Sequence, residues 1–168
     1  MNPDKKIVVI GHMPCTAGTF YTHFIGKLLS KNKLWILPET NPYTALNLNK
    51  TNFLPYSINT SSFLAGIKTF KEYLENFKYE LFNLIDSWYK SESDTLIIRD
   101  QIWGEFSNFN IQRDDRSPIM SSFLNNEGIN YIPLFTVRDP IDSWLSLNSN
   151  FPRININLSD YTEIYNNA

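Results

Sequence analysis

The strongest constraint on the fold is a change of hydrophobic period within residues 5–29. Lys5 and Lys6 lead into Ile7-Val8-Val9-Ile10, four consecutive β-branched residues. Such a run predicts a strand buried on both faces, the kind found in parallel sheets. From Phe20 onward the spacing is helical: Phe20, Phe24 and Leu28 form one row, and Tyr21, Ile25 and Leu29 the next. An amphipathic helix is therefore predicted to follow the strand. Between them Gly11-His12-Met13-Pro14-Cys15-Thr16-Ala17-Gly18-Thr19 is expected to be a loop feeding the helix N-terminus.

That loop has the composition of an anion cradle. The first turn of a helix presents unpaired N–H groups and the positive dipole end, worth roughly 0.3–2 kcal/mol to an anion before any side chain helps. Thr16 and Thr19 offer hydroxyl donors, and Gly18 permits close backbone approach. The plain alternative is an ordinary strand-to-helix turn with Thr16 as its cap. Two familiar loops are excluded by what is missing. A Walker loop requires lysine after its second glycine, whereas Gly18 is followed by Thr19. In the dinucleotide fingerprint the glycines lie closer together than Gly11 and Gly18. Cys15 at a helix start has the setting of an acidified thiol, but a cysteine phosphatase needs arginine where Tyr21 stands.

Leu34 to Leu37 reads as a second buried strand, ending at Pro38-Glu39-Thr40-Asn41-Pro42, where the prolines bracket a loop. Glu39 is either a solvated carboxylate or a substrate contact. Residues 43–60 show no sustained period and are expected to form a covering loop. Thr60, Ser61 and Ser62 offer caps for a long helix with an apolar stripe through Leu64, Ile67, Phe70, Leu74, Phe77, Leu81, Leu84, Ile85 and Trp88. A third strand, Thr95 to Ile98, runs into Arg99-Asp100-Gln101-Ile102-Trp103-Gly104-Glu105. In an open parallel sheet this strand end borders the ligand crevice. Asp100 and Glu105 are each either a base or a member of a structural ion pair.

After a polar segment, Ser117 and Pro118 read as cap and first residue of a helix that Gly128 closes. Tyr131 to Val137 supplies a fourth strand. Arg138 at its carboxyl end suits a phosphate. Asp139 is the expected cap and Pro140 the first residue of the next helix, with Ser146 about two turns inside. Beyond Asn150 only an Asn-rich stretch and a short Tyr-rich end are legible.

Taken together, His12-Met13-Pro14-Cys15-Thr16-Ala17-Gly18-Thr19 resembles the His-Ile-Pro-Lys-Thr-Ala-Gly-Thr loop of sulfotransferases that use 3′-phosphoadenosine-5′-phosphosulfate (PAPS). Glu39-Thr40-Asn41-Pro42 is similar to the family's Glu-x-Asn-Pro after the second strand. Arg138-Asp139-Pro140 with Ser146 matches its 3′-phosphate motif in identity and spacing. The resemblance implies a P-loop-like sulfotransferase fold with PAPS as sulfate donor. Pro14, Cys15, Thr16, Ala17, Gly18, Thr19 and Phe20 would surround the 5′-phosphosulfate, and Arg138 and Ser146 the 3′-phosphate. Arg99, Gln101 and Cys15 fall on the family's catalytic positions. Cys15 stands where the family has the lysine that stabilises the bridging oxygen, and Gln101 where it has the histidine that takes the acceptor's proton. Glutamine hydrogen-bonds a hydroxyl but does not remove its proton near neutral pH. The family continues past the Arg-Asp-Pro helix with a helix, a fifth strand and a segment over the nucleotide, so the resemblance implies either a piece of a longer protein or a natural remnant.

With 168 residues, 42% of them hydrophobic, the chain is expected to fold as one α/β domain over 1–168, a parallel sheet flanked by helices. A formal charge of −2 and dispersed basic residues argue against nucleic acid or anionic membrane as partners. The leading apolar run is too short for a signal peptide or span, and one cysteine makes no internal disulfide. A cytoplasmic protein is expected, with a small-molecule or glycan acceptor and no metal. The rival readings are a sulfotransferase-like nucleotide-binding module without transfer activity, and a nucleotide kinase or other NTPase, which the missing loop lysine disfavours.

Overall fold

The computed structural model describes residues 5–12, 18–29, 33–37, 40–42, 69–102, 118–150 and 156–167. Four strands, β1 (Lys6–His12), β2 (Lys33–Leu37), β3 (Ser93–Gln101) and β4 (Ile132–Thr136), form one sheet of order β2-β3-β1-β4. Every pairing is parallel, with Ile10 opposite Arg99 and His12 opposite Gln101 on one side of β1, and Ile10 opposite Leu134 on the other. The helices are α1 (Gly18–Leu29), α2 (Phe70–Lys90), α3 (Ile119–Asn126), α4 (Pro140–Asn150) and α5 (Leu158–Asn167). The chain is thus an α/β protein whose all-parallel sheet is flanked by helices.

Connectivity explains which helix covers which face. The chain leaves β1, crosses β3 to reach β2, then turns back to β3 and passes β1 to reach β4. Right-handed crossovers put α1 on one face and α2 and α3 on the other. The packing agrees. Ile7, Val9, Leu96 and Ile98 meet Tyr73, Phe77, Leu81, Ile85 and Trp88 of α2 and Met120, Phe123 and Leu124 of α3. On the opposite face Val8, Ile10 and Ile97 form a smaller cluster joined by Ile25 of α1 and Leu34, Ile36 and Leu134. Strand alternation therefore gives each β-branched run of β1 and β3 two buried faces.

Several boundaries differ from the sequence expectation. Gly11 and His12 belong to β1, and Gly18 and Thr19 open α1, so both ends of the expected loop lie in regular elements; residues 13–17 lie outside the described residues. Gly11 is held in the ladder by close approach: a Cβ there would come within 2.6 Å of Phe135 Cε1. In α1, Phe24 and Leu28 are exposed while Thr22 is buried. Helix α2 starts at Phe70, not near Ser62, because Thr69 closes a capping box. Thr69 Oγ1 accepts from Glu72 N–H at 3.1 Å, and Glu72 Oε2 from Thr69 N–H at 3.1 Å. The expected caps Thr60, Ser61 and Ser62 lie outside the described residues.

Pro118 is the cap of α3 and not its first helical residue, with an extended ψ of 136° and no side-chain cap bond. Gly128 does end that helix. Its φ of 65° suits a left-handed residue, and Gly128 N–H to Asn125 O and Ile129 N–H to Leu124 O complete a Schellman closure. At the C-terminal end the structure adds α5, where no element is expected. Asn157 caps it, accepting from Asp160 N–H at 2.9 Å and donating to Asp160 Oδ2 at 2.8 Å. Tyr161 is fully buried, and Trp144 Nε1 of α4 donates to Ile156 O at 2.8 Å, tying α5 to α4.

Candidate functional site

In this topology the connections from β1 and β3 depart to opposite faces, so the crevice of the sheet lies beyond the carboxyl ends of those two strands. The buried polar residues concentrate there. His12 is 4% exposed, Arg99 7%, Thr40 1%, and Asp100 and Asn41 0%. Charged and polar groups are rarely buried without partners, and such a cluster at a strand-end switch point marks the candidate site.

Alternation sorts the cluster between the two faces. Arg99 follows Ile97 by two residues and His12 follows Ile10 by two, which puts both on the α1 face. They are diagonal neighbours across the parallel β1–β3 ladder. Asp100 continues the row of Leu96 and Ile98 on the α2 face. There Asn41 Nδ2 donates to Asp100 Oδ1 at 2.7 Å, and Thr40 N–H donates to Arg99 O at 2.7 Å. Tyr73 of α2 completes the anchor, its hydroxyl donating to Pro42 O at 2.9 Å. Burial pushes the Tyr73 phenol above its ordinary pKa of 10.0.

Asp100 is thus a fastening point for residues 40–42. The same observation gives Glu39-Thr40-Asn41-Pro42 a role: Thr40 and Asn41 are its buried members, while Glu39 lies outside the described residues. Ile102 N–H donates to His12 O at 3.3 Å, extending the β1–β3 ladder to its last rung.

The remaining predicted residues divide by strand. Pro14, Cys15, Thr16 and Ala17 lie outside the described residues. Gly18, Thr19 and Phe20 form the first turn of α1. Gln101 is the last residue of β3 and pairs in register with His12. Arg138 follows β4 and is exposed. Because β4 lies directly beside β1 and runs parallel to it, Arg138 and the chain leaving β1 emerge at the same edge of the sheet. Asp139 caps α4 as expected, accepting from Ile141 N–H at 2.9 Å and Asp142 N–H at 3.1 Å, with Pro140 as the first helical residue. Ser146 is half-buried, and its Oγ accepts from Asn150 Nδ2 at 3.2 Å. It lies about 9 Å along the helix axis from Pro140.

Three members of the cluster, His12, Thr40 and Asn41, are not among the predicted site residues. For His12 the available signal was the continuation of the first strand through Gly11. For Asn41 the signal lay only in the Glu-x-Asn-Pro resemblance, because its partner is 59 residues away.

Among the described residues no helix is long and apolar enough to cross a membrane, and no group of three or more His, Cys, Asp or Glu is arranged to hold a metal ion. The chain matches no protein-family model, and neither a curated protein nor a solved structure matches it.

Proposed function

We propose that this chain is a PAPS-binding protein of the sulfotransferase type, transferring sulfate to a hydroxyl or amine of a small molecule or glycan. The observation that carries this reading is the adjacency of β1 and β4. With β1 and β4 adjacent and parallel, the chain leaves both strands at the same edge of the sheet, toward α1 from one and toward Arg138 from the other, which suits a ligand with phosphates at two ends. Helix N-terminal N–H groups and arginine are both suited to phosphate and sulfate oxygens.

In this reading Thr16 to Thr19 receive the 5′-phosphosulfate, and Arg138 with Ser146 the 3′-phosphate. Arg99 contributes positive charge beside the transferring group. The acceptor oxygen or nitrogen bonds to sulfur as the bond from sulfur to the bridging oxygen breaks. The acceptor's proton passes to water, and 3′,5′-adenosine bisphosphate leaves. Positioning and charge stabilisation carry such an in-line displacement, as in phosphoryl transfer. A second reading, a nucleotide-binding module without transfer, is favoured by Cys15 and Gln101 at the family's lysine and histidine positions.

Calorimetric titration tests binding. The bisphosphate is expected to bind in preference to ATP and GTP, and Arg138→Ala to weaken it about 10- to 100-fold, the equivalent of one charge-assisted hydrogen bond. Equal binding of ATP, or indifference to Arg138→Ala, refutes the assignment. Transfer of radiolabelled sulfate by the unaltered chain supports the enzyme. Transfer seen only after Cys15→Lys and Gln101→His supports the module.

A further inference from the structure

The chain has two histidines, His12 and His23, and the fold treats them differently. His23 lies on the outer side of α1 and is exposed. His12 is the last residue of the interior strand β1 and is buried. Below it on the α1 face the row is Ile10 and Val8, both apolar, so the imidazole stands where the core of the sheet gives way to the crevice. Register sets its neighbours there. β4 supplies the half-buried Thr136 on the same rung, and β3 supplies Gln101 on that rung and Arg99 one rung nearer the core on the same face. Helix α1 closes over this face with Thr22, Ile25 and Gly26 inward, while its His23 and Lys27 are exposed.

We propose that His12 takes the acceptor's proton during transfer. This rests on the sulfate-transfer reading above and adds a base to it. A hydroxyl or amine that bonds to sulfur must lose a proton, and a base held in the crevice speeds that step about 10²–10⁴-fold. Among the described residues on this face, Arg99 stays protonated and the Thr136 hydroxyl keeps its proton at neutral pH. Asp100 lies on the α2 face, where Asn41 donates to it at 2.7 Å. Imidazole changes charge between about pH 5 and 8, and its two nitrogens let one be held by the protein while the other receives a proton. Because His12 meets little solvent, its hydrogen bond to an acceptor is stronger than the same bond in water. The acceptor atom bonds to sulfur as the bond from sulfur to the bridging oxygen breaks, its electron pair leaving with the bisphosphate. The proton moves to an imidazole nitrogen of His12, which then releases it to water. Base and cation thus act on opposite partners of one displacement, His12 on the acceptor and Arg99 on the sulfuryl group.

In the full chain labelled at histidine, saturating 3′,5′-adenosine bisphosphate is expected to raise the pH at which the His12 imidazole titrates by NMR, since a phosphate beside it favours the charged form. His23 is expected to titrate as before. With phenol as the acceptor, His12→Gln is expected to lower kcat at least about 100-fold while bisphosphate affinity stays within about threefold, the pattern of a group that acts only in the transition state. The variant is also expected to lose the fall in rate that acidification from about pH 8 to 5 causes in the unaltered chain, and His23→Gln to change neither rate nor affinity. Should His12→Gln misfold or phenol not be turned over, the NMR titration decides alone. Bisphosphate that binds without altering the His12 titration, or transfer indifferent to His12→Gln, overturns this assignment and leaves the sulfotransferase reading standing. A chain that binds no bisphosphate overturns both.

Discussion

The bond from Asn41 to Asp100 gives the sharpest test of how the site is held. Both residues are fully buried, the donor–acceptor distance is 2.7 Å, and the partners are 59 residues apart, so the contact is purely tertiary. Asn41→Ala removes the donor and leaves a carboxyl oxygen enclosed by protein without it. A hydrogen bond to an acidic group contributes about 1.5–3 kcal/mol. We therefore expect a destabilisation of about 2–3 kcal/mol, a large fraction of the roughly 5–15 kcal/mol typical of a domain. In urea, with m of about 1–3 kcal/mol/M, the midpoint falls by about 1 M or more. Burial effects unrelated to the bond are removed by a double-mutant cycle with Asp100→Ala, where the coupling is expected to be about 1.5–3 kcal/mol. The neighbouring bond from Thr40 N–H to Arg99 O uses only backbone atoms and survives in every corner of the cycle. A coupling below about 0.5 kcal/mol refutes the argument, because the two side chains would then contribute independently.

Lys5 Nζ donates to the carbonyls of Trp88, Ser91 and Ser93 at 2.8–2.9 Å and lies 4.8 Å from the Trp88 ring centroid. Lys5→Met is thus expected to cost about 1–2 kcal/mol in thermal unfolding by freeing the end of α2. Tyr73 has its pKa raised by burial, so above pH 10 the unfolded chain releases a proton that the folded chain retains. Stability is complete below that pH and falls as pH rises further, and Tyr73→Phe is expected to flatten this alkaline limb in pH-dependent denaturation. The exposed pairs Lys33–Glu92 and Lys90–Asp86 are expected to matter little, with Lys33→Ala and Lys90→Ala each within about 0.5 kcal/mol of the parent in urea melts.

Much of the sheet is legible in the chain because its strands are unbroken apolar runs. Ile7 to Ile10, Leu34 to Leu37 and Thr95 to Ile98 all lie within observed strands, and a parallel sheet with two covered faces needs such runs. Local chemistry also reads well where it is self-contained, as at Asp139-Pro140 and Gly128. It fails where a tertiary contact decides. Tyr73 is core although the apolar stripe passes through Phe70 and Leu74, because its hydroxyl has Pro42 O to bond. That Asp100 accepts from Asn41 is not legible in a sequence where the two stand 59 residues apart. Helix α5 is poorly legible because its cap pairs Asn157 with Asp160, a weaker signature than serine or threonine with glutamate. At the site, Arg99 is legible from its place after a strand. That His12 shares its face depends on the register of two strands far apart in sequence.

The position of β1 carries a cost during synthesis. Of the four described strands, β1 leaves the ribosome first yet is interior to the sheet, and its partners β3 and β4 come much later. About 90 residues separate Lys6 from its rung-mate Thr95, which at about 5–20 residues per second means roughly 5–20 s before the β1–β3 ladder closes. Throughout that delay Ile7-Val8-Val9-Ile10 is a sticky ribbon without its β3 and β4 partners, the kind of exposed apolar run that invites pairing with the wrong neighbour.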